Sequence, residues 1–294
     1  MDPEGLTISF RNWEDKFYSA FGAYVRKEMR TLGHPIIVGI SGIQGSGKTT
    51  QSRALQNYLK SHFGMTTCVL SIDDFYRDQK ERQLLSERIH PLLKTRGVPG
   101  THHVEAISAV IDALKRVADE SIISIPQFDK STDNPKAVSD WKDQKLPVDV
   151  ILFEGWCVGA QPQSAHELAK PINQLEEQED AEGTFRNYVN KQLQEQYASL
   201  WKKIDALVWL QPSKFEMVYT WRKQQESRLG IDPNNNTSTK MDDADLNRFI
   251  MHYERISRHM MNTMPNRSDW VIELNDDQTP KSVRHPDGHS SPQR

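Results

Sequence analysis

The chain has 294 residues, and 37 Lys and Arg against 40 Asp and Glu leave a formal net charge of −3, so no global basic field suits it to wrapping nucleic acid or an anionic membrane. Hydrophobic residues are 36% of the total, too many for a disordered chain, and Cys68 and Cys157 stand in no metal-ligand spacing, which fits a reducing compartment and excludes a disulfide framework. No stretch reaches the roughly 18 apolar residues of a membrane helix, and the N-terminus lacks both a hydrophobic signal core and an Arg-rich transit composition, so a soluble protein of the cytoplasm, or of the nucleus, is expected.

In chain order, Phe10, Trp13, Phe17, Phe21, Tyr24 and Met29 recur at helical steps and predict a helix that buries an aromatic stripe ahead of the first strand. The run Pro35-Ile36-Ile37-Val38-Gly39-Ile40-Ser41 predicts a strand buried on both faces, followed by a helix from Lys48 to His62. Thr66 to Ile72 and Val148 to Phe153 predict two further strands, and Ile122 to Ile125 a short edge strand stopped by Pro126. Between Phe185 and Ile204 the apolar residues hold a helical period over five turns. Then come a strand at Ala206 to Leu210, helices at Lys214 to Leu229 and Asp243 to Asn262, and a strand at Trp270 to Leu274. Such alternation implies an α/β fold with a parallel sheet. Glu176 to Gly183 reads as a solvated acidic loop or helix end, and Asp232 to Thr239 as a turn-rich excursion. A single domain over residues 1–275, with its packing helix in residues 1–34, is expected to precede a flexible tail at 276–294.

The chemistry begins at Gly42-Ile43-Gln44-Gly45-Ser46-Gly47-Lys48-Thr49, which satisfies G-x-x-x-x-G-K-[ST] between a buried strand and a helix. That is where glycine flexibility can wrap backbone N–H groups around phosphates at a helix N-terminus. It is a P-loop: Gly42, Gln44, Gly45, Ser46, Gly47 and Thr50 line the nucleotide, Lys48 neutralises the outer phosphates, and the Thr49 hydroxyl holds Mg²⁺. Asp73 and Asp74 follow the second strand, where ligands of parallel sheets gather; successive residues point different ways, and Asp73 is favoured as the proton acceptor. Phe153-Glu154-Gly155 closes the third strand with an acid suited to Mg²⁺. Between Arg77 and His103 six cations outnumber three acids, room for an anionic small substrate, although most of these charges read singly as solvated surface. His90, His102 and His103 have no metal-type companions. Arg222 sits where a lid helix would bring charge to the phosphates, or simply pairs with Glu226.

Taken together, the P-loop, Ser71-Ile72-Asp73-Asp74-Phe75-Tyr76, Arg96-Gly97-Val98-Pro99-Gly100-Thr101-His102, Gln127-Phe128-Asp129-Lys130-Ser131, Phe153-Glu154-Gly155-Trp156 and Trp221-Arg222 resemble the D-glycerate 3-kinase family of plants and fungi. That family is related to phosphoribulokinase, uridine kinase and bacterial pantothenate kinase. The resemblance implies a three-layer P-loop NTPase fold with a central five-stranded parallel sheet and helical insertions. It further implies ATP and Mg²⁺ as cofactors, transfer of the γ-phosphoryl to a hydroxyl, catalytic roles for Lys48, Asp73 and Arg222, and Tyr76, Arg96, His102, Asp129 and Lys130 on the substrate side. A monomer or homodimer acting on a small anionic metabolite is expected. Two departures touch the acceptor side alone: His103 replaces an acid of the family pattern, and Thr132-Asp133-Asn134-Pro135-Lys136 replaces its G-x-G-D-R. A uridine- or pantothenate-type kinase and an ATP-binding regulatory protein without an acceptor are the rival readings. A GTPase is disfavoured because Asn190-Lys191 continues as Gln192-Leu193 rather than the guanine signature.

Overall fold

The computed structural model describes residues 17–116, 120–229 and 241–285. Helix α1 (Ser19–Leu32) leads into strand β1 (Ile36–Gly42), helix α2 (Lys48–Phe63) and strand β2 (Thr67–Ser71). A tight turn over Ile72–Phe75 precedes α3 (Gln79–Arg88) and α4 (Val104–Leu114). Four short strands follow, β3 (Ile122–Ile125), β4 (Phe128–Asp129), β5 (Asn134–Pro135) and β6 (Lys142–Lys145). After β7 (Val150–Gly155) come α5 (Ala165–Leu168), α6 (Gln174–Glu179), α7 (Thr184–Gln192) and α8 (Ala198–Trp201). Then follow β8 (Ala206–Gln211), α9 (Met217–Leu229), α10 (Asp243–Thr263), β9 (Trp270–Leu274) and β10 (Pro280–Arg284).

The main sheet runs β10-β9-β8-β1-β7-β2. Its strands β2, β7, β1, β8 and β9 are the five expected parallel ones. Every residue of β1 and β7 is buried, as unbroken apolar runs demand when helices cover both faces. Phe17 and Phe21 of the N-terminal stripe pack on Trp270 of β9, with ring centroids 5.5 Å apart in each pair. Phe10 and Trp13, like the turn-rich stretch at 232–239, lie outside the described residues.

Four expectations are corrected. The chain beyond residue 275 is not simply a tail, because β10 pairs antiparallel with β9 and makes a sixth strand. Without it β9 would present a bare row of backbone donors and acceptors. An edge strand open to water needs few apolar residues, so its composition imitates a tail. The acidic stretch is not uniformly solvated either: Glu176 and Asp180 are buried. Glu176 accepts two bonds from Arg255 of α10, at 2.7 and 2.6 Å, and Asp180 takes the Phe185 amide at 2.7 Å where α7 begins. The long amphipathic helix ends at Trp201 and contains a wide π turn over Leu193–Tyr197 between α7 and α8. Finally, β3 does not edge the main sheet but pairs with β6 in a separate two-stranded one.

Candidate active site

Strand register sets the positions of the site's first residues. Ser41 lies beside Gly155 of β7 and Gly42 beside Leu210 of β8, so the chain leaves β1 at the middle of the sheet and loops over Ile43–Gly47 into α2. Gly45 and Gly47 have φ of 81° and 86°, the left-handed region that side chains avoid. A Cβ on Gly45 would also meet the Trp221 Cβ of α9 at 2.6 Å. Gly47 caps α2 without a side-chain bond, leaving the first amides of that helix for an anion. Lys48 folds back so that Nζ donates to the Ile43 carbonyl at 3.1 Å, and burial lowers its pKa against the pull of Glu154 and Asp73. Gln44 and Ser46 complete the loop, their side-chain polar atoms buried and unpartnered among the described residues, while Thr50 is exposed on the first turn of α2.

Glu154, near the end of β7, sits between Ile40 of β1 and Ser71 of β2. The Thr49 hydroxyl donates to its Oε1 at 2.9 Å. Burial pushes the Glu154 carboxyl up, with Lys48 and the Thr49 hydrogen bond pulling it back. A hydroxyl and a buried carboxylate in contact at the foot of a phosphate loop are the hard oxygen donors Mg²⁺ takes, so this pair fits that ion.

The tight turn after β2 separates the adjacent aspartates. Asp74 turns to the β4 hairpin, accepting from the Phe128 amide at 3.2 Å and from Gln127 Nε2 at 3.3 Å. Asp73 faces the loop side, where its Oδ1 accepts from the Tyr76 hydroxyl and its Oδ2 from Lys130 Nζ, both at 2.6 Å. Burial works against its ionisation, but Lys130 and these hydrogen bonds prevail and hold the carboxyl well below the usual range. Tyr76 stacks on His102, with ring centroids 4.7 Å apart, and meets Phe128 edge-on. Arg96 lies over Phe128 at 5.6 Å. His102 is fully buried, with Nδ1 at 2.6 Å from the Tyr197 hydroxyl in the π turn, and burial brings its pKa down to about 3. The Asp129 carboxylate accepts from the Ser131 amide and hydroxyl, so in this structure it caps the hairpin turn. Arg222 of α9 lies over Phe249 at 5.2 Å and donates to Gln225. The side chain of Glu226, its alternative partner in sequence, lies outside the described residues.

Three participants escape sequence reasoning. Tyr253 of α10 donates to the Arg96 carbonyl at 2.8 Å, packs edge-on against Trp156, and feels the charges of Asp73, Arg96 and Arg222. Its apolar neighbours on α10 disguise it as core. Gln278, in the β9–β10 turn, donates to the Gly45 carbonyl at 2.6 Å, and nothing in its polar surroundings marks it. Arg82 looks like one more surface cation, yet it is buried. Only the Asp78/Glu81 capping box, which fixes where α3 starts, hints at which face turns inward.

A parallel sheet with a phosphate loop after its central strand, a hydroxyl–carboxylate pair and an ionised aspartate facing a cluster of cations defines a P-loop kinase. No protein-family profile matches the chain. It is 32% identical over 251 residues to an uncharacterized kinase of Schizosaccharomyces pombe, covering 83% of this chain and 87% of that one. It is 30% identical over 226 residues to the chloroplastic D-glycerate 3-kinase of Arabidopsis thaliana, covering 74% of this chain but 46% of that longer one. A D-glycerate 3-kinase structure from Cryptococcus neoformans superposes with a TM-score of 0.75 at 25% identity, over 91% of this chain and 98% of that one. The chain belongs to the same family of P-loop kinases as the Schizosaccharomyces pombe protein, and it is similar to proteins named D-glycerate 3-kinase.

Proposed function

We propose that the protein transfers the γ-phosphoryl of ATP to a hydroxyl of a small carboxylate, with D-glycerate giving 3-phosphoglycerate. The observation that carries this reading is the position of Asp73, held by Lys130 and Tyr76 between the phosphate loop and the cationic acceptor side. Lys48 and the loop amides grip the triphosphate, and Arg222 shields the charge that develops on transfer. Thr49 and Glu154 would hold Mg²⁺, which when bound neutralises phosphate oxygens. Asp73 orients the attacking hydroxyl and takes its proton. Its depressed pKa makes it a weak base, which suits a loose transition state in which positioning outweighs early proton removal. Arg96, Lys130 and Arg222 favour an anionic acceptor, and two relatives bearing the D-glycerate 3-kinase name point to glycerate.

The test is ATP consumption and product identity for the purified full chain with Mg²⁺ and D-glycerate, uridine, pantothenate or other hydroxy acids. Fastest turnover of D-glycerate is expected. Turnover of uridine or pantothenate in its place would replace the acceptor, and ATP binding without transfer to any of them would leave a regulatory nucleotide-binding protein.

A further inference from the structure

Asp133 stands in the turn between β4 and β5 with φ of 54°, and Gln278 is the other non-glycine residue with positive φ among the described residues. Asp accepts that conformation at a cost, so something must hold it there. The holder is Arg82. Its Nη2 donates both to the Asp133 carbonyl, at 3.0 Å, and to Oδ2, at 2.6 Å. Its Nε and Nη1 are taken by the carbonyls of Arg77 and Lys94, at 3.1 and 3.0 Å. Arg82 is thus a buried anchor with no edge left for a ligand.

The other carboxylate oxygen of Asp133, Oδ1, accepts from Nη1 of Arg96. Arg96 is also pinned at its carbonyl by Tyr253 and backed by the Phe128 ring, yet its side chain remains 29% exposed. Among the described residues its Nε and Nη2 meet no acceptor. Those two nitrogens form one edge of the guanidinium, the fork that matches both oxygens of a carboxylate. Through Phe128 and Tyr76 this fork belongs to the same cluster as Asp73. Two guanidinium groups around one carboxylate leave a net positive charge, so Asp133 steadies Arg96 without cancelling its attraction for an anion.

We propose that Asp133 is a positioning residue for the acceptor: anchored by Arg82, it ties Arg96 by one nitrogen and so presents the Nε–Nη2 edge to the acceptor's carboxylate. The carboxylate acceptor is that of the proposed function, on which this assignment rests.

Steady-state kinetics of the full chain with ATP, Mg²⁺ and D-glycerate test it. Asp133→Ala is expected to raise the KM for D-glycerate about tenfold or more, the worth of a charge-assisted bond, with the KM for ATP unchanged within about twofold. Asp133→Asn, which keeps an acceptor oxygen, should fall between. Adding Asp133→Ala to Arg96→Ala should cost nothing further. An equal rise in the KM for ATP, or a double variant clearly worse than Arg96→Ala, overturns the proposal in favour of a general structural role. A second readout needs no acceptor. The Arg96 Nε–Hε resonance, assigned with Arg96→Lys, should exchange faster with solvent in Asp133→Ala than in the wild type. An unchanged rate overturns the positioning role whatever the acceptor is. A wild type inert toward D-glycerate with the rate still raised overturns the glycerate reading and supports the role of Asp133.

Discussion

Asp73 and Asp74 are chemically identical neighbours, and what separates them is which partner each meets. Asp73→Asn is predicted to keep ATP binding, measured by calorimetry, while kcat falls by roughly 10²–10⁴, the usual contribution of a positioned acid or base. A fall of less than tenfold would remove Asp73 from the proton's path. Lys48→Ala should abolish transfer, and a variant turning over at the wild-type rate would refute the phosphate-loop assignment. His102 gives a pH prediction. Its folded pKa of about 3 lies below the ordinary 6.5, so in that window the unfolded chain binds more protons and stability falls as pH drops. Between pH 6.5 and 5 the loss attributable to His102 is up to about 2 kcal/mol. Urea unfolding at the two pH values should show this component in the wild type and not in His102→Gln.

Among the elements, the β9–β10 hairpin ties the C-terminal end of the described chain to the nucleotide loop. Besides Gln278 on Gly45, the Asp276 carbonyl accepts from the Trp221 indole at 2.7 Å, so hairpin, α9 and loop are braced together. Gln278→Ala removes one hydrogen bond of about 1 kcal/mol and is expected to raise the KM for ATP roughly fivefold, leaving the acceptor KM alone. A shift in the acceptor KM instead would place the hairpin's influence elsewhere. The α6–α10 junction rests on Arg255, which meets Glu176 through two bonds and the Glu167 and Lys170 carbonyls at 2.9 and 2.7 Å. Glu176→Ala strands a buried guanidinium and should destabilise the chain by about 3–5 kcal/mol in urea melts. A loss under 1 kcal/mol would mean that water reaches the pair.

Across the whole molecule, the parallel register of β2, β7 and β1 brings Glu154 beside Ser71 and Ile40, so residues 83 and 114 positions from it in the chain share one end of the sheet. The five parallel strands, the phosphate loop and the strand-closing acid were legible in the sequence, because each depends on local periodicity or on a spacing that the chemistry dictates. No helix of the described residues is long and apolar enough to cross a membrane. The ion pairs Arg82–Asp133 and Arg255–Glu176 and the Gln278 contact were not legible, since each joins residues at least 51 positions apart and a charge in sequence looks the same whether its partner is water or a distant guanidinium.

By itself the sequence determined an α/β chain with a nucleotide loop and two candidate aspartates, since unbroken apolar runs, glycine spacing and phosphate geometry leave few alternatives. Only the tertiary structure decided which aspartate faces the loop, which acids are buried, that the supposed tail completes the sheet edge, and which edge of Arg96 stays open. Those are questions of long-range partnering, answered when desolvation forces each buried polar group to find a mate from another part of the chain.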